Sequence, residues 1–223
     1  FIEDRQNAAN DTQLVGVQNI LLIEDDLDFY SSYLPLIFSV LRDLNDTLLK
    51  EDLTFSQRLL RRNARPRVHL ATTYEQAEAV FEQFKDSLLG IITDAGFPQN
   101  EVVNPTAGIH FVTRVRAEKP HLPVLLQSSD TGAELMSRDM GVAFISKNSP
   151  TLLRDLRSFL STSFGFGDLV LTDERTAVET RIAKVNQLFT AIADLPEGVL
   201  AATLARGDLD RWLRARTEFA LAN

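Results

Sequence analysis

The 223-residue chain has a formal net charge of −8, a pI near 4.9, and 44% hydrophobic and 24% charged residues, an ordinary balance for a globular protein. The acidity argues against a nucleic-acid-binding chain, and the absence of cysteine excludes a disulfide framework or a thiolate metal site. No apolar run approaches the roughly 18 residues of a membrane span and no signal peptide is visible, so a cytoplasmic protein is expected. The chain begins with Phe1 and not Met, and is read as a segment of a longer one.

Residues 1–16 are polar and read as a flexible lead-in. QNILLIEDD (18–26) is an apolar run closed by three acids. Tyr30, Leu34, Ile37, Leu41, Leu44 and Leu48 then step by fours and threes, one face of a long helix. Pro35 should kink or break that helix unless it lies in the first turn. A second helical piece over 53–63 ends at Arg65-Pro66. The stripe can be simple core, but its distal end, with Leu44 and Leu48, outruns a sheet. It needs cover from the 53–63 helix, the carboxyl-terminal helices or a second subunit in a homodimer.

RVHLA (67–71) is a short strand, and Thr72/Glu75 and Thr73/Gln76 have capping-box spacing ahead of a helix bearing Ala77, Val80, Phe81 and Phe84. GIITD (90–94) is a third strand ending in an acid, followed by a Pro/Asn/Gly-containing loop and a helix with Ile109, Val112 and Val115. LPVLLQSS (122–129) and VAFISK (142–147) are the fourth and fifth runs, with a short helical piece between them. Ser149-Pro150 caps a helix carrying Leu152, Leu153, Leu156, Phe159 and Leu160. Helical patterns follow around 176–193, 196–206 and 208–220. Five apolar runs alternating with helices predict a parallel sheet covered on both faces, with sites at the carboxyl ends of the strands.

Those ends carry Glu24 and Asp25, Asp94, Ser128 and Lys147. Carboxylates converging on one edge repel by about 4 kcal/mol per pair at close range. A hard cation such as Mg²⁺ relieves this, and an ammonium and a hydroxyl complete the surroundings of a phosphoryl group. Asp94 is then a nucleophile that accepts phosphate. Taken singly, each acid would more often be a solvated loop residue or a helix cap.

The chain resembles the receiver domain of bacterial response regulators. ILLIEDD carries the acidic pair, and ITDAGFP resembles the phosphoacceptor strand and its Asp-x-x-Met-Pro loop, with Phe97 in place of Met. PVLLQSS resembles the switch strand, and AFISKNSP the lysine strand, with Asn148 where Pro is usual. The resemblance implies a flavodoxin-like, doubly wound five-stranded parallel sheet of order 2-1-3-4-5, with a receiver domain over 17–164. It adds a helical insertion after strand 1 (about 45–66) and a helical extension over 165–223. It implies phosphorylation of Asp94 by a histidine kinase or phosphotransfer protein, Mg²⁺ held by Glu24, Asp25, Asp94 and the Gly96 carbonyl, and Lys147 and Ser128 on the phosphoryl oxygens. Ser128 and Phe144 would form the switch that alters an output domain or partner. Such a domain is not an enzyme beyond its own phosphorylation and dephosphorylation. FGFGDLVL and WLRARTEFALA resemble segments that precede a phosphoenolpyruvate synthase/pyruvate phosphate dikinase-type domain, a catalytic partner expected downstream.

Three other readings compete. Asp26-Leu27-Asp28 resembles the nucleophile motif of haloacid-dehalogenase-type phosphatases, with Ser128, Lys147 and GDLVLTD (167–173) as later motifs, but this leaves Asp94 idle. A DNA-binding effector over 176–223 would use Arg211, Arg214 and Arg216 beside Trp212, but the acids there match the bases. A pseudo-receiver that only binds partners conflicts with the complete Asp–Ser–Lys set. The arginines at 58, 61, 62, 65 and 67 read as a solvated face, and His69, His110 and His121 lack metal-ligand spacing.

Overall fold

A computed structural model describes residues 2–49, 64–173, 176 and 178–222. The expected 53–63 helix, with Arg58, Arg61 and Arg62, lies outside the described residues.

Strands β1 (Asn19–Ile23), β2 (Arg67–Ala71), β3 (Leu88–Asp94), β6 (Val124–Ser128) and β7 (Ala143–Ser146) form one all-parallel sheet of order β2-β1-β3-β6-β7. This is the expected flavodoxin-like order. β1 and β6 are buried along their whole length, which is why they read as unbroken apolar runs. Leu21, Ile23, Ile91 and Leu126 face one core, completed by Phe81 of α3 (Tyr74–Phe84) and Phe111, Val112 and Val115 of α4 (Ala107–Glu118). Ile20, Leu22, Ile92 and Leu125 face the other. That one is completed by α2 (Leu27–Leu49) and by Leu156 and Leu160 of α6 (Leu152–Ser163). A short helix, α5 (Gly132–Asp139), connects β6 to β7.

Helix α2 is longer than the sheet needs: 23 residues span about 35 Å, whereas a five-residue strand spans about 17 Å. Its distal Leu41, Leu44 and Leu48 share a core with Ala215, so the carboxyl-terminal helices cover this end. Pro35 does not break the helix. Pro35 and Ser31, whose carbonyl it deprives of a partner, are both exposed, so water can satisfy that group.

The lead-in is not loose: α1 (Ile2–Val15) is helical. Its periodicity is weak because polar bonds hold it more than an apolar stripe does. Arg67 pairs with Asp11 at 2.7 Å, and Asn19 Nδ2 donates to Thr12 Oγ1 at 2.9 Å. The extension is also not purely helical. β8 (Leu169–Asp173) and β9 (Val178–Ile182) form an antiparallel hairpin, ahead of α7 (Val185–Asp194), α8 (Glu197–Ala205), α9 (Asp208–Ala215) and α10 (Phe219–Ala222). The alternation of buried Leu169 and Leu171 is the strand signal in that stretch.

The 164–168 loop joins this segment to the sheet. Trp212 Nε1 donates to the Gly167 carbonyl at 3.0 Å, and Arg216, stacked 4.0 Å over the Trp212 ring, donates to the Gly165 and Gly167 carbonyls at 2.6 and 2.7 Å. Gly165 has φ +78, and a side chain there would also strike the Trp212 backbone at 2.8 Å. Phe164 is fully buried against β3 only because position 90 is glycine: a Cβ on Gly90 would lie 2.0 Å from the Phe164 ring. Gly90→Ala should therefore destabilise the protein by about 1–3 kcal/mol in urea unfolding, and Phe164→Leu should recover part of the loss. Additive losses in the double variant would show that the two sites do not clash.

Candidate functional site

β1, β3 and β7 hand side chains to the carboxyl edge because their ladders run on past the strand ends. The Glu24 amide donates to the Ala71 carbonyl at 3.0 Å, the Ala95 amide to Gln127 at 2.9 Å and the Lys147 amide to Ser128 at 2.9 Å. Residues 24, 94 and 147 are thus placed by neighbouring strands. Gly108 brings α4 close behind Asp94. Its amide donates to the Ala95 carbonyl at 2.9 Å, and a Cβ there would lie 2.0 Å from the Asp94 carbonyl oxygen.

Carboxylate oxygens of Glu24, Asp25 and Asp94 lie within 4.8 Å of one another. Glu24 is fully buried, Asp94 half-buried and Asp25 exposed. The Lys147 ammonium sits 2.9 and 2.8 Å from the two oxygens of Glu24 and 2.7 Å from Asp94 Oδ2. Asp94 Oδ1 accepts from the Ala95 amide at 2.7 Å, so both of its oxygens are held and the carboxylate plane is set. Burial pushes the Glu24 carboxyl up to about 7, against the lowering effect of Lys147. Burial also raises Asp25.

Asp25, Asp94 and Lys147 line an open cleft of about 670 Å³ together with Gly96 and Ser128. Glu24 lies buried beneath it. Ser128 Oγ accepts from the Asp130 amide at 3.0 Å. Phe144 is half-buried on β7, packed against the core next to α3 and α4. Among the described residues no peptide bond is cis, the Lys147–Asn148 bond included. The oxygen donor set suits a hard cation, and the close, buried approach of its carboxylates is a physical reason for one to bind.

Asp26 has a different setting. It is exposed, and its Oδ1 accepts from the Asp28 amide at 2.8 Å, a capping contact at the start of α2. GDLVLTD lies in and beside the β8 strand. Asp168, Leu169 and Val170 line a different cleft with Val124 and Ala143, at the starts of β6 and β7 and so at the opposite edge of the sheet. Asp26, Ser128 and Lys147 line the same cleft as Asp94, but GDLVLTD does not join them, so the phosphatase-type set is only partly brought together.

Three features of the site were not anticipated. Phe29 places its ring 4.3 Å from the Lys147 ammonium. Tyr33 and Gln127, both fully buried, put a phenol and an amide on the α2 side of the sheet, and burial raises the Tyr33 hydroxyl far above its usual range. The loop after Asp94 is a hairpin of β4 (Phe97–Gln99) and β5 (Val102–Asn104), whose exposed Val103 lines the cleft. Asn100 and Glu101 turn it at φ 52 and 65, and Glu75 accepts the Asn100 amide at 2.9 Å. The Asn100-Glu101 pair between Gln99 and Val102 was the available signal. Among the described residues no helix is long and apolar enough to cross a membrane.

No family model and no curated protein matches this chain. Its fold is similar to a response regulator receiver domain protein from Clostridium thermocellum at 17% identity, covering 66% of this chain and 93% of that one with a TM-score of 0.44. It is also similar to the phosphorylated cyanobacterial phytochrome response regulator RcpA at 15% identity, with 66% and 93% coverage and a TM-score of 0.43. A CheY-like receiver domain protein from Methanospirillum hungatei is similar at 17% identity, with 65% and 91% coverage and a TM-score of 0.39.

Proposed function

We propose that this chain is a phosphoacceptor module of two-component signalling, in which Asp94 receives a phosphoryl group from a histidine kinase or phosphotransfer protein. The observation that carries the reading is the position of Lys147, which lines the cleft and whose ammonium bridges Glu24 and Asp94. An ammonium 2.7 Å from a nucleophilic oxygen is placed to hold a phosphoryl oxygen once that group arrives.

In the proposed step an Asp94 oxygen bonds to phosphorus, the donor's bond to phosphorus breaks, and the leaving group departs with that electron pair. Ala95 orients the carboxylate through its amide, and Lys147 offsets charge on the transferring group. Ser128, on the cleft wall, offers its hydroxyl to another phosphoryl oxygen. Glu24, Asp25, Asp94 and the Gly96 carbonyl would hold Mg²⁺, which supplies charge neutralisation at the phosphoryl oxygens. Movement of Ser128 towards the phosphoryl group and of Phe144 towards the space it vacates would carry the signal to the surface. A catalytic domain of the phosphoenolpyruvate synthase/pyruvate phosphate dikinase type as the output remains part of this reading only through the resemblance of residues 164–223.

Incubated with a small acyl phosphate and Mg²⁺, the folded protein should gain one phosphoryl group by intact-mass measurement, and hydroxylamine should remove it. Calorimetric titration should detect Mg²⁺ binding, weakened about tenfold or more in Asp25→Ala. Intact Mg²⁺ binding without any label would overturn the phosphoacceptor reading, and unchanged affinity in Asp25→Ala would remove Asp25 from the ligand set.

A further inference from the structure

Lys147 sits on a flexible four-carbon stem, yet its ammonium is confined on several sides. The carboxylates of Glu24 and Asp94 bind it at 2.7–2.9 Å, and the Phe29 ring lies over it at 4.3 Å from Nζ to the ring centroid. Only 6% of the Lys147 side chain is exposed. Phe29 comes from the first turn of α2, where the chain leaves β1 and the acidic pair. Its own ring is held by Tyr33 one turn later, with centroids 5.9 Å apart. It also lines the cleft that contains Asp94, Ser128 and Lys147.

A cation over the face of an aromatic ring is attracted by the ring quadrupole, more strongly where water is excluded. The carboxylates and the ring differ in one respect. A divalent cation at Glu24 and Asp94 draws on the same oxygens that now bind Lys147, whereas it has no claim on the ring face. We propose that Phe29 is a positioning residue of this site, holding the Lys147 ammonium over Asp94 when the carboxylates are engaged elsewhere. Its effect on phosphorylation rests on the phosphoacceptor reading above; its contact with Lys147 does not.

The test compares Phe29→Leu, which keeps apolar bulk but removes the π face, with Phe29→Tyr, which retains it. In NMR spectra of the metal-free protein, the Lys147 Hε protons should be shifted upfield by the ring current in the parent and in Phe29→Tyr, and lose that shift in Phe29→Leu. With acetyl phosphate and Mg²⁺, labelling should slow about fivefold in Phe29→Leu and stay within about twofold in Phe29→Tyr. Mg²⁺ affinity should change by less than about twofold in both variants, because the ring is not among the proposed ligands. On a Lys147→Ala background, Phe29→Leu should slow labelling no further. An unshifted Lys147 in the parent, or an equal slowing in Phe29→Tyr and Phe29→Leu, would overturn the proposal. A parent protein that takes no label refutes the phosphoacceptor reading instead, and the NMR comparison then decides the role of Phe29 alone.

Discussion

Asp94→Asn should abolish labelling by a small acyl phosphate, while Asp26→Asn should leave it largely intact. The expectation follows from what surrounds each carboxylate. Asp94 ends a central strand, has both oxygens oriented, and faces an ammonium at 2.7 Å, two further acids and the Ser128 hydroxyl across one cleft. Asp26 is exposed, and its oxygen is occupied in capping α2. Asparagine is nearly isosteric with aspartate, so the fold should survive while the nucleophilic oxygen is lost. Loss of one charge-stabilising contact in a preorganised site typically costs a hundredfold or more in rate, so Lys147→Ala should label slowly yet still bind Mg²⁺. Beryllofluoride should bind where the phosphoryl group would and fail to bind Asp94→Asn. The readout is intact mass, with peptide mapping to place the modified residue. Label on Asp26 would favour the phosphatase reading. Metal binding without label from any donor would favour a pseudo-receiver.

The second large effect is on stability against pH in the absence of metal. Glu24 is fully buried, and its carboxyl is pushed up to about 7, chiefly by burial. Between about pH 4.5 and 7 the folded protein therefore holds a proton that the unfolded chain has released, and rising pH favours unfolding. The contribution is fully present below 4.5, where both states are protonated, and is lost as pH rises through 7. Its upper limit is about 3 kcal/mol, with no discount for solvent screening at a fully buried group. Asp25, also raised by burial, acts in the same direction. The lowered Glu75, Asp86, Glu118 and Asp155 act in the opposite direction, but they sit at the surface. Urea unfolding in a chelator should show the protein losing stability from pH 5 to pH 8 relative to Glu24→Gln, in which the surface acids are unchanged. Saturating Mg²⁺ should reduce the difference by favouring ionised Glu24. Parallel pH profiles for the two proteins would exclude Glu24 as the source.

The sheet and the positions of the acids and the lysine were legible in the sequence. Strands buried on both faces must be unbroken apolar runs, so ILLI, GIIT and VLL announce themselves locally. A charged residue at the end of such a run has only the sheet edge to occupy, so Glu24, Asp25, Asp94 and Lys147 could be placed without coordinates. Other features depended on which elements meet. Pro35 is tolerated because it falls on the exposed face of α2. Helix α1 is held by polar contacts, from Asp11 to the distant Arg67 and from Thr12 to Asn19 just beyond the helix, which leave no apolar period to read. Ala215 covers the distal end of α2, and Gly90 admits Phe164, through pairings between distant residues. The Phe29 ring over Lys147 belongs to the same class, because the two side chains are separated by most of the sheet's connections. What the sequence by itself determined is the set of groups delivered to the carboxyl edge, since periodicity and strand ends are local properties. What only the tertiary structure decided is how those groups are held, because contact between distant side chains is set by packing and leaves no periodic trace.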